Sequence, residues 1–180
     1  IKDYKKMVTR NFKEHDNLVI IIGKTEGHID QSLFARTILD EKNGPPPEIN
    51  LFNEKNNGES LLSLIEKGYI KSAHDVSLGG ILTAISKMCI KGNKGIKFEK
   101  YKNLMNDIEF FFAEDQGRYI IEIHQKDLIE VSKILDKNSV HHEKLGIIVD
   151  KDIIINEKTK VTIDELKAYN SNWLINYMSS

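Results

Sequence analysis

The chain has 180 residues, of which 40% are hydrophobic and 29% charged, and its 26 basic and 27 acidic side chains leave a net charge of −1. This composition is typical of a globular domain. The lysines are interleaved with acidic residues, which argues against a nucleic-acid partner, and no apolar run approaches the ~20 residues of a membrane span. The single cysteine, Cys89, excludes an internal disulfide and favours a reducing, cytoplasmic location.

The first half of the sequence alternates predicted strands and helices. An apolar run that ends at Gly23 predicts a buried strand followed by a glycine turn. Three prolines in the loop 43–47 lack N–H donors and fix φ, so we expect a rigid loop inside one domain. The predicted elements are a strand over 18–23, a helix over 31–39, a helix over 50–67 and a strand over 70–74.

The second half is predicted to hold more strands. The apolar runs 108–113 and 119–124 are separated by a short polar turn with Gly117, a pattern that predicts a β-hairpin. Thr162 and Glu165 have the spacing of a capping box, which would start a last helix. We expect Leu166, Trp173, Leu174 and Tyr177 of that helix to be available for packing. The other elements are a strand over 96–98, a helical segment around 101–105, a helix over 126–135, strands over 140–149 and 152–156, and the last helix over 163–178.

The segment from Ser72 to Gly80 carries the strongest chemical signal, because a strand is predicted to become a helix there. The apolar residues that follow recur at helical spacing and predict a buried helix that begins near Ser77, with Ser77 as its N-cap. The expected apolar face consists of Leu78, Ile81, Leu82, Ile85, Met88 and Cys89.

Two glycines in the first turn of that helix suggest an anion site. Gly79 and Gly80 would present unpaired N–H groups without an obstructing side chain, which suits a phosphate. Asp75 would repel a bare phosphate, so the residues favour a nucleotide contact through Mg²⁺. The alternative is that Asp75 and Ser77 only cap the helix while the glycines allow close packing.

Other candidate chemistries are weaker. His141 and His142 are neighbours on a predicted strand and should point to opposite faces, so the pair is poorly placed to chelate one metal ion. Glu114 and Asp115 are also neighbours, and their carboxylates should diverge rather than form a catalytic pair. The sequence has no zinc-ligand spacing, no serine-hydrolase elbow and no Walker-type phosphate loop.

Five segments in a fixed order carry a family resemblance. They are Ile22–His28 (IGKTEGH), Gly44–Leu51 (GPPPEINL), Ser72–Gly80 (SAHDVSLGG), Phe112–Arg118 (FAEDQGR) and Leu145–Ile148 (LGII). Together they resemble the synthetase subunits of phosphoribosylformylglycinamidine synthases, purine-biosynthesis enzymes of the AIR-synthetase-like superfamily. The resemblance covers nearly the whole chain.

The predicted elements indicate an α+β fold whose sheet is covered by helices, and the resemblance implies a mixed sheet in a partly ferredoxin-like, three-layer arrangement. The domain would span 17–180 and correspond to the last C-terminal-type domain, with 1–16 as a linker from an upstream domain. Because the sequence begins with Ile1 rather than Met, we expect a fragment of a longer polypeptide.

The implied reaction is ATP-dependent C–N ligation, in which formylglycinamide ribonucleotide, ATP and glutamine-derived ammonia give formylglycinamidine ribonucleotide, ADP and phosphate. The main catalytic histidine and most Mg²⁺ ligands of such enzymes lie in the upstream domains. We therefore expect no catalytic residue in this chain and no activity of the chain alone. The implied partners are the upstream domains, a glutaminase subunit and a small accessory subunit.

The resemblance also implies roles for individual residues. It associates Asp75 with Mg²⁺ and Ser77 with a bound nucleotide, and we expect His74, Gly79 and Gly80 to border the same ATP or ADP. A second set, comprising Lys24, Thr25, Glu114, Asp115 and Gln116, would form a substrate or interface loop.

Two positions depart from the family pattern, since Leu78 stands where an acidic residue is common and Asp115 where serine is usual.

The alternatives to this function are another enzyme of the superfamily, such as AIR synthetase, selenophosphate synthetase or thiamine-phosphate kinase, or a non-enzymatic nucleotide-binding or assembly module. The segments Gly44–Pro47 and 112–118 argue against the other enzymes.

Overall fold

A seven-stranded mixed sheet forms the centre of the computed structural model, which describes residues 3–99, 105–157 and 159–179. The strands follow the spatial order β2-β4-β1-β5-β3-β6-β7. Neighbouring strands are antiparallel except for the parallel pair β3 and β6. The strands are β1 (Leu18–Ile22), β2 (Ile70–Val76), β3 (Gly95–Phe98), β4 (Arg118–Ile123), β5 (His142–Val149), β6 (Ile153–Ile155) and β7 (Thr159–Val161).

Helices cover both faces of this sheet, which gives three layers. They are α1 (Leu33–Thr37), α2 (Leu51–Glu66), α3 (Gly80–Gly92), α4 (Asp107–Phe112), α5 (Leu128–Lys137) and α6 (Ile163–Met178). One apolar core holds buried residues of α3, α4 and the first turn of α6, and a second core holds buried residues of α2 and α5. The predicted α+β class, with a mixed sheet covered by helices, is confirmed.

The central strand shows how side-chain alternation builds the two cores. All five residues of β1 are buried, with Val19 and Ile21 in the α3 core and Leu18, Ile20 and Ile22 in the α2 core. A strand buried on both faces needs such a continuous apolar run. The prediction of a fully buried strand here is confirmed.

The predicted hairpin is wrong, because the apolar run 108–113 forms helix α4 instead of a strand. The Asn106 side chain accepts a hydrogen bond from the Glu109 N–H and so caps this helix. A short apolar run has no periodicity that separates a strand from a buried helix. The helix predicted over 31–39 is also shorter than expected, and the segment predicted around 101–105 lies largely outside the described residues.

Helix α3 begins later than predicted. Its N-cap is Gly79, in the left-handed conformation with φ +82°, so the prediction of Ser77 as the N-cap is wrong. Leu78 precedes the helix and is 57% exposed, in contrast to the expected buried position. The rest of the predicted face is confirmed, since Ile81, Ile85, Met88 and Cys89 are buried and Leu82 packs against the same core.

The last helix begins as predicted and packs on the domain through its first turns. Thr162 and Glu165 form the capping box, with reciprocal hydrogen bonds between side chains and backbone N–H groups. Leu166 packs against the α3 core. Trp173 and Tyr177 stack on each other and are 65% and 66% exposed, so their use in packing stays a prediction. The predicted packing of the Leu174 side chain lies outside what the structure describes.

The segment before β1 is bound to the sheet by a buried carboxylate. Glu122 accepts hydrogen bonds from the N–H groups of Lys13 and Glu14 and from the side chains of Asn17 and Ser72, at 2.7–3.0 Å. Phe12 is buried in the α3 core. The assignment of 1–16 to an interdomain linker stays a prediction.

No helix in the described part of the chain is long and apolar enough to cross a membrane.

Candidate functional site

A polar cavity of about 630 Å³ opens at one end of the sheet. Its walls come from the loop after β1, the segment that leads into α2, the loop before β4 and the residues around the start of β5. The side chains and backbone that line it are Gly23, Lys24, Glu26, Gly27, His28, Pro47, Glu48, Asn50, Asn53, Glu54, Asn57, Asp115, Gln116, Ser139 and His141. Amide and carboxylate groups dominate this lining.

Helix α2 contributes a polar stripe to the cavity wall. Asn50, Asn53, Glu54 and Asn57 are spaced like one face of a helix, and all four line the cavity. Asn50 also caps the helix by accepting a hydrogen bond from the Asn53 N–H, and Asn57 donates to the Gly117 carbonyl at 2.8 Å. This stripe was not predicted from the sequence, although its helical spacing directly after the proline loop was a usable signal.

Asp115 is held inside the cavity wall by backbone donors. Its Oδ2 accepts hydrogen bonds from the N–H groups of Glu26 (2.9 Å) and Gly27 (3.2 Å), and its Oδ1 accepts one from the His28 N–H (3.1 Å). The residue is only 7% exposed. Asp115 therefore joins the loop before β4 to the loop after β1.

A buried arginine lies behind this aspartate. Arg118 is 1% exposed, and its Nη1 lies 3.6 Å from Asp115 Oδ2. The guanidinium donates to the carbonyls of Asp115 and Ala113 and to the Thr25 hydroxyl, at 2.7–3.0 Å. Burial lowers the pKa of Arg118, and the carboxylates of Asp115 and Glu114 oppose that shift. Burial of a cation requires this degree of pairing and hydrogen bonding.

Glu114 extends in a different direction from its neighbour. Its Oε1 accepts hydrogen bonds from the Leu33 N–H at 2.7 Å and from the Gly79 N–H at 2.8 Å. The two carboxylates thus bind separate loops, and the predicted divergence of Glu114 and Asp115 is confirmed. Such a pair does not converge on one substrate atom.

The residues predicted to form a substrate or interface loop are largely brought together. Lys24, Asp115 and Gln116 line the cavity, Thr25 is buried behind it, and Glu114 lies outside the lining. Lys24 pairs with Glu26 at 2.8 Å, and the pKa of Lys24 is raised by its hydrogen bond to Glu26 and by that charge. A role of these residues in substrate binding stays a prediction.

The predicted nucleotide-binding residues lie at the end of the edge strand β2 and in the loop after it. His74 Nδ1 lies 3.0 Å from Asp75 Oδ1, and the Asp75 side chain is 61% exposed. His74 Nε2 is buried and has no hydrogen-bond partner among the described residues. Burial lowers the pKa of His74, although Asp75 opposes this shift.

The N–H groups of the two glycines are already used within the chain. Gly79 donates to Glu114, and Gly80 donates to the Ser77 carbonyl at 3.0 Å. Gly80 has φ +68°, and a Cβ there would lie 2.6 Å from the Phe111 carbonyl oxygen. Close packing on the end of α4 thus explains Gly80, as the packing alternative expected. Nucleotide binding by His74, Ser77, Gly79 and Gly80 stays a prediction.

The carboxylate of Asp75 fits only one type of Mg²⁺ site. In the described part of the chain, no group of three or more His, Cys, Asp or Glu side chains is arranged to hold a metal ion. Mg²⁺ commonly keeps several waters and is bound by one or two carboxylates together with phosphate oxygens. Asp75 is compatible with that arrangement and not with a cage made of protein ligands alone.

The neighbouring histidines at the start of β5 have different partners. His141 bonds to Glu143 and His142 bonds to Ser132, so their predicted divergence is confirmed.

Comparison with known proteins identifies the family. The model of the family "AIR synthase related protein, C-terminal domain" matches residues 14–156. The chain belongs to this family. As a member of the AIR synthase C-terminal-domain family, it carries its cavity and the β2 edge within the matched range, whereas α6 lies beyond it.

Its curated relatives are much longer proteins. The phosphoribosylformylglycinamidine synthase subunit PurL of Pelagibacter ubique (strain HTCC1062) is 63% identical over 180 residues, which is 100% of this chain and 25% of that protein. PurL of Caldanaerobacter subterraneus subsp. tengcongensis is 36% identical over 96% of this chain and 24% of that protein. The AIR synthase C-terminal domain described here thus spans about a quarter of these relatives.

Solved structures share its fold. T. maritima PurL complexed with FGAR superposes with a TM-score of 0.77 at 20% identity, covering 91% of this chain and 30% of that chain. E. coli HypE, a hydrogenase maturation protein, gives a TM-score of 0.62 at 13% identity and covers 87% of this chain and 52% of that chain. These likenesses establish the fold of the AIR synthase C-terminal domain and nothing about ligands.

Proposed function

We propose that this chain is a C-terminal-type domain of a phosphoribosylformylglycinamidine synthase, the ligase that makes formylglycinamidine ribonucleotide in purine biosynthesis. The observation that carries the proposal is the 63% identity to a PurL subunit over the whole chain. The whole polypeptide would use ATP to activate the formyl amide oxygen, and ammonia would displace the phosphate. ADP and phosphate are the other products.

The geometry favours a structural role of this domain in that reaction, in which it shapes a surface and does not transfer protons. The two carboxylates that stand out in the sequence are committed to backbone N–H groups, so they position loops rather than transfer protons. The cavity is polar and open at the end of the sheet, where a neighbouring domain or a substrate can enter. We therefore propose that the domain shapes a binding surface and that the chain alone has no ligase activity.

A second part of the proposal concerns the loop after β2. We propose that Asp75 contacts Mg²⁺ through its exposed carboxylate and that His74, Ser77, Gly79 and Gly80 border a bound ATP or ADP. When bound, the metal would neutralise phosphate charge next to Asp75. T. maritima PurL has been solved in complexes with ATP, ADP and AMPPCP, which supports a nucleotide-binding role for this group of proteins.

The proposed partners are upstream domains of the same polypeptide, a glutaminase subunit and a small accessory subunit. The length of the PurL relatives and the solved structure of PurLQS from Thermotoga maritima support this assembly. A cytoplasmic location is also proposed, since the free thiol of Cys89 suits a reducing compartment.

The decisive experiment assays the full-length polypeptide that contains this chain. ADP release is measured with formylglycinamide ribonucleotide, Mg-ATP and ammonium, and the amidine product is identified by mass spectrometry. The expected result is ADP release that requires the ribonucleotide, with no activity from the 180-residue chain alone. Reactions without the ribonucleotide or with the substrates of other AIR-synthetase-like enzymes serve as controls. Turnover only with one of those other substrates would reject the proposed function.

A further inference from the structure

We propose that the backbone N–H groups of Glu26, Gly27 and His28 form an oxyanion site, here named the 26–28 nest, that Asp115 fills with its own carboxylate. Residue 115 then decides whether this cavity can accept a phosphate, sulfate or carboxylate group from solution. The inference concerns this chain's own loop and holds independently of the ligase reaction proposed above.

The geometry of the 26–28 nest is that of an anion site. Three consecutive N–H groups converge on the two oxygens of one carboxylate at 2.9–3.2 Å. Gly27 has φ +85°, the left-handed conformation that turns successive N–H groups toward a common centre. An oxyanion is thus already bound in this concavity, and it belongs to the chain itself.

Two cations beside the nest, Arg118 and Lys24, also suit an anion, although Glu26, Glu48 and Glu54 line the same cavity. The buried guanidinium of Arg118 lies 3.6 Å from Asp115 Oδ2, and the Asp115 charge contributes to the raised pKa of Lys24. Three hydrogen bonds donated by Nε, Nη1 and Nη2 of Arg118 fix the guanidinium in place. If the Asp115 carboxylate were removed, a rigid cation and three N–H donors would lose their partner while Arg118 remained buried. An external anion that restored this pairing would stabilise the protein.

The nest is accessible from solution. Gly27, His28 and Asp115 all belong to the cavity lining, so an anion in the cavity would meet the N–H groups once the side chain at 115 is shortened. In the native chain the carboxylate occupies this position. The cavity of the native chain is therefore closed to oxyanions at the 26–28 nest.

The test compares wild type with two variants that separate charge from space. Asp115→Ala empties the nest, whereas Asp115→Asn fills it with a neutral side chain of the same shape whose carbonyl oxygen can still accept. Thermal denaturation is followed in chloride and then in formate or phosphate at matched ionic strength. Formate replaces the missing carboxylate, and phosphate tests a tetrahedral anion.

The expected result is a lower Tm for Asp115→Ala in chloride and a selective rescue by the added anion. At a tenfold excess over its dissociation constant, the anion should raise the Tm of Asp115→Ala by about 3–6 °C. Wild type and Asp115→Asn should show no shift beyond the chloride control. Equal shifts in all three proteins, or no shift in Asp115→Ala, would overturn the proposal.

A variant that does not fold in chloride still gives an answer. Refolding of Asp115→Ala and Asp115→Ser is then compared in chloride, formate and phosphate, and the yield of folded protein is measured by circular dichroism. The proposal requires a higher yield in at least one of the two oxyanions. Equal yields in all three salts, with Asp115→Asn folding normally, would reject it.

Discussion

Two carboxylates next to glycine-containing loops of this domain lie in opposite environments. In the cavity, Asp115 is nearly buried and is matched by Arg118 and three backbone N–H groups. At the β2 edge, Asp75 is mostly exposed, and its hydrogen-bond partner among the described residues is the adjacent His74. The first loop is organised around an internal charge pair, while the second presents its charge to solvent. Burial, rather than the presence of glycines and acids, separates a structural carboxylate from one that can bind a ligand.

The largest expected effect comes from breaking the buried pair in the cavity wall. Arg118→Met should lower the free energy of unfolding by about 3–5 kcal/mol, because it leaves a buried carboxylate without its cation. Urea denaturation measures this loss. Lys24→Met is the matched control, since it removes an exposed cation from the wall of the same cavity. If Arg118→Met and Lys24→Met have equally small effects, burial does not set the Asp115 carboxylate apart from the exposed Asp75.

Gly80→Ala tests whether the glycine at the β2 edge is needed for packing. The substitution should cost about 2–3 kcal/mol, because it combines strain at φ +68° with a Cβ 2.6 Å from the Phe111 carbonyl oxygen. Gly68→Ala isolates the backbone contribution, since Gly68 has φ +80° and no neighbouring atom within 4 Å of a Cβ. Equal losses of stability, measured by thermal denaturation, would show that the contact with α4 contributes nothing.

A pH effect should distinguish His74 from the other groups at the edge. Its folded-state pKa is lowered by burial, so the unfolded chain binds the proton more readily. The stabilising contribution of neutral His74 is complete above about pH 6.5 and is lost as the pH falls toward the folded pKa. Asp75 opposes this shift, while Lys87 and Arg10 reinforce it.

The measurement is the urea midpoint of wild type and of His74→Gln between neutral and mildly acidic pH. Wild type should lose more stability than the variant over this range. Parallel profiles would show that the buried ring does not control the acid sensitivity of the edge.

The smallest effect on stability is expected at Asp75. Asp75→Asn should change the free energy of unfolding by less than about 0.5 kcal/mol, because the carboxylate is exposed. The same change should abolish Mg²⁺-dependent ADP binding in calorimetry if the proposed nucleotide contact lies in this chain. Asp40→Asn, at a more exposed carboxylate, is the control. A wild-type titration without heat would count against a nucleotide site formed by this domain alone.

Local sequence patterns predicted those elements whose apolar spacing was long or unambiguous. The buried run of β1 and the apolar face of α3 belong to this class. The run 108–113 was misassigned because its six residues are compatible with a strand, and Asn106, which caps the helix, precedes the run. The exposure of Trp173 depends on how far α6 extends beyond its contact with α3, which its own sequence does not encode.

The candidate site was only partly predictable for a similar reason. The family resemblance pointed to Asp115 and Gln116, and both line the cavity. It did not reveal that Asp115 would be bound by N–H groups 87–89 residues earlier in the chain. Glu122 was missed as well, although a charge within the apolar run of β4 was a visible signal of a buried anchor.

The burial of Cys89 makes its thiol a reporter of local opening in the domain core. The thiol lies in the core under α3, and burial raises its pKa, which suppresses the reactive thiolate. Because it is the only cysteine in the chain, each labelling event reports one opening of that layer. At a reagent concentration where labelling outpaces reclosing, the rate at which a thiol reagent modifies Cys89 records how often the helices on this face separate from the sheet, without an engineered cysteine.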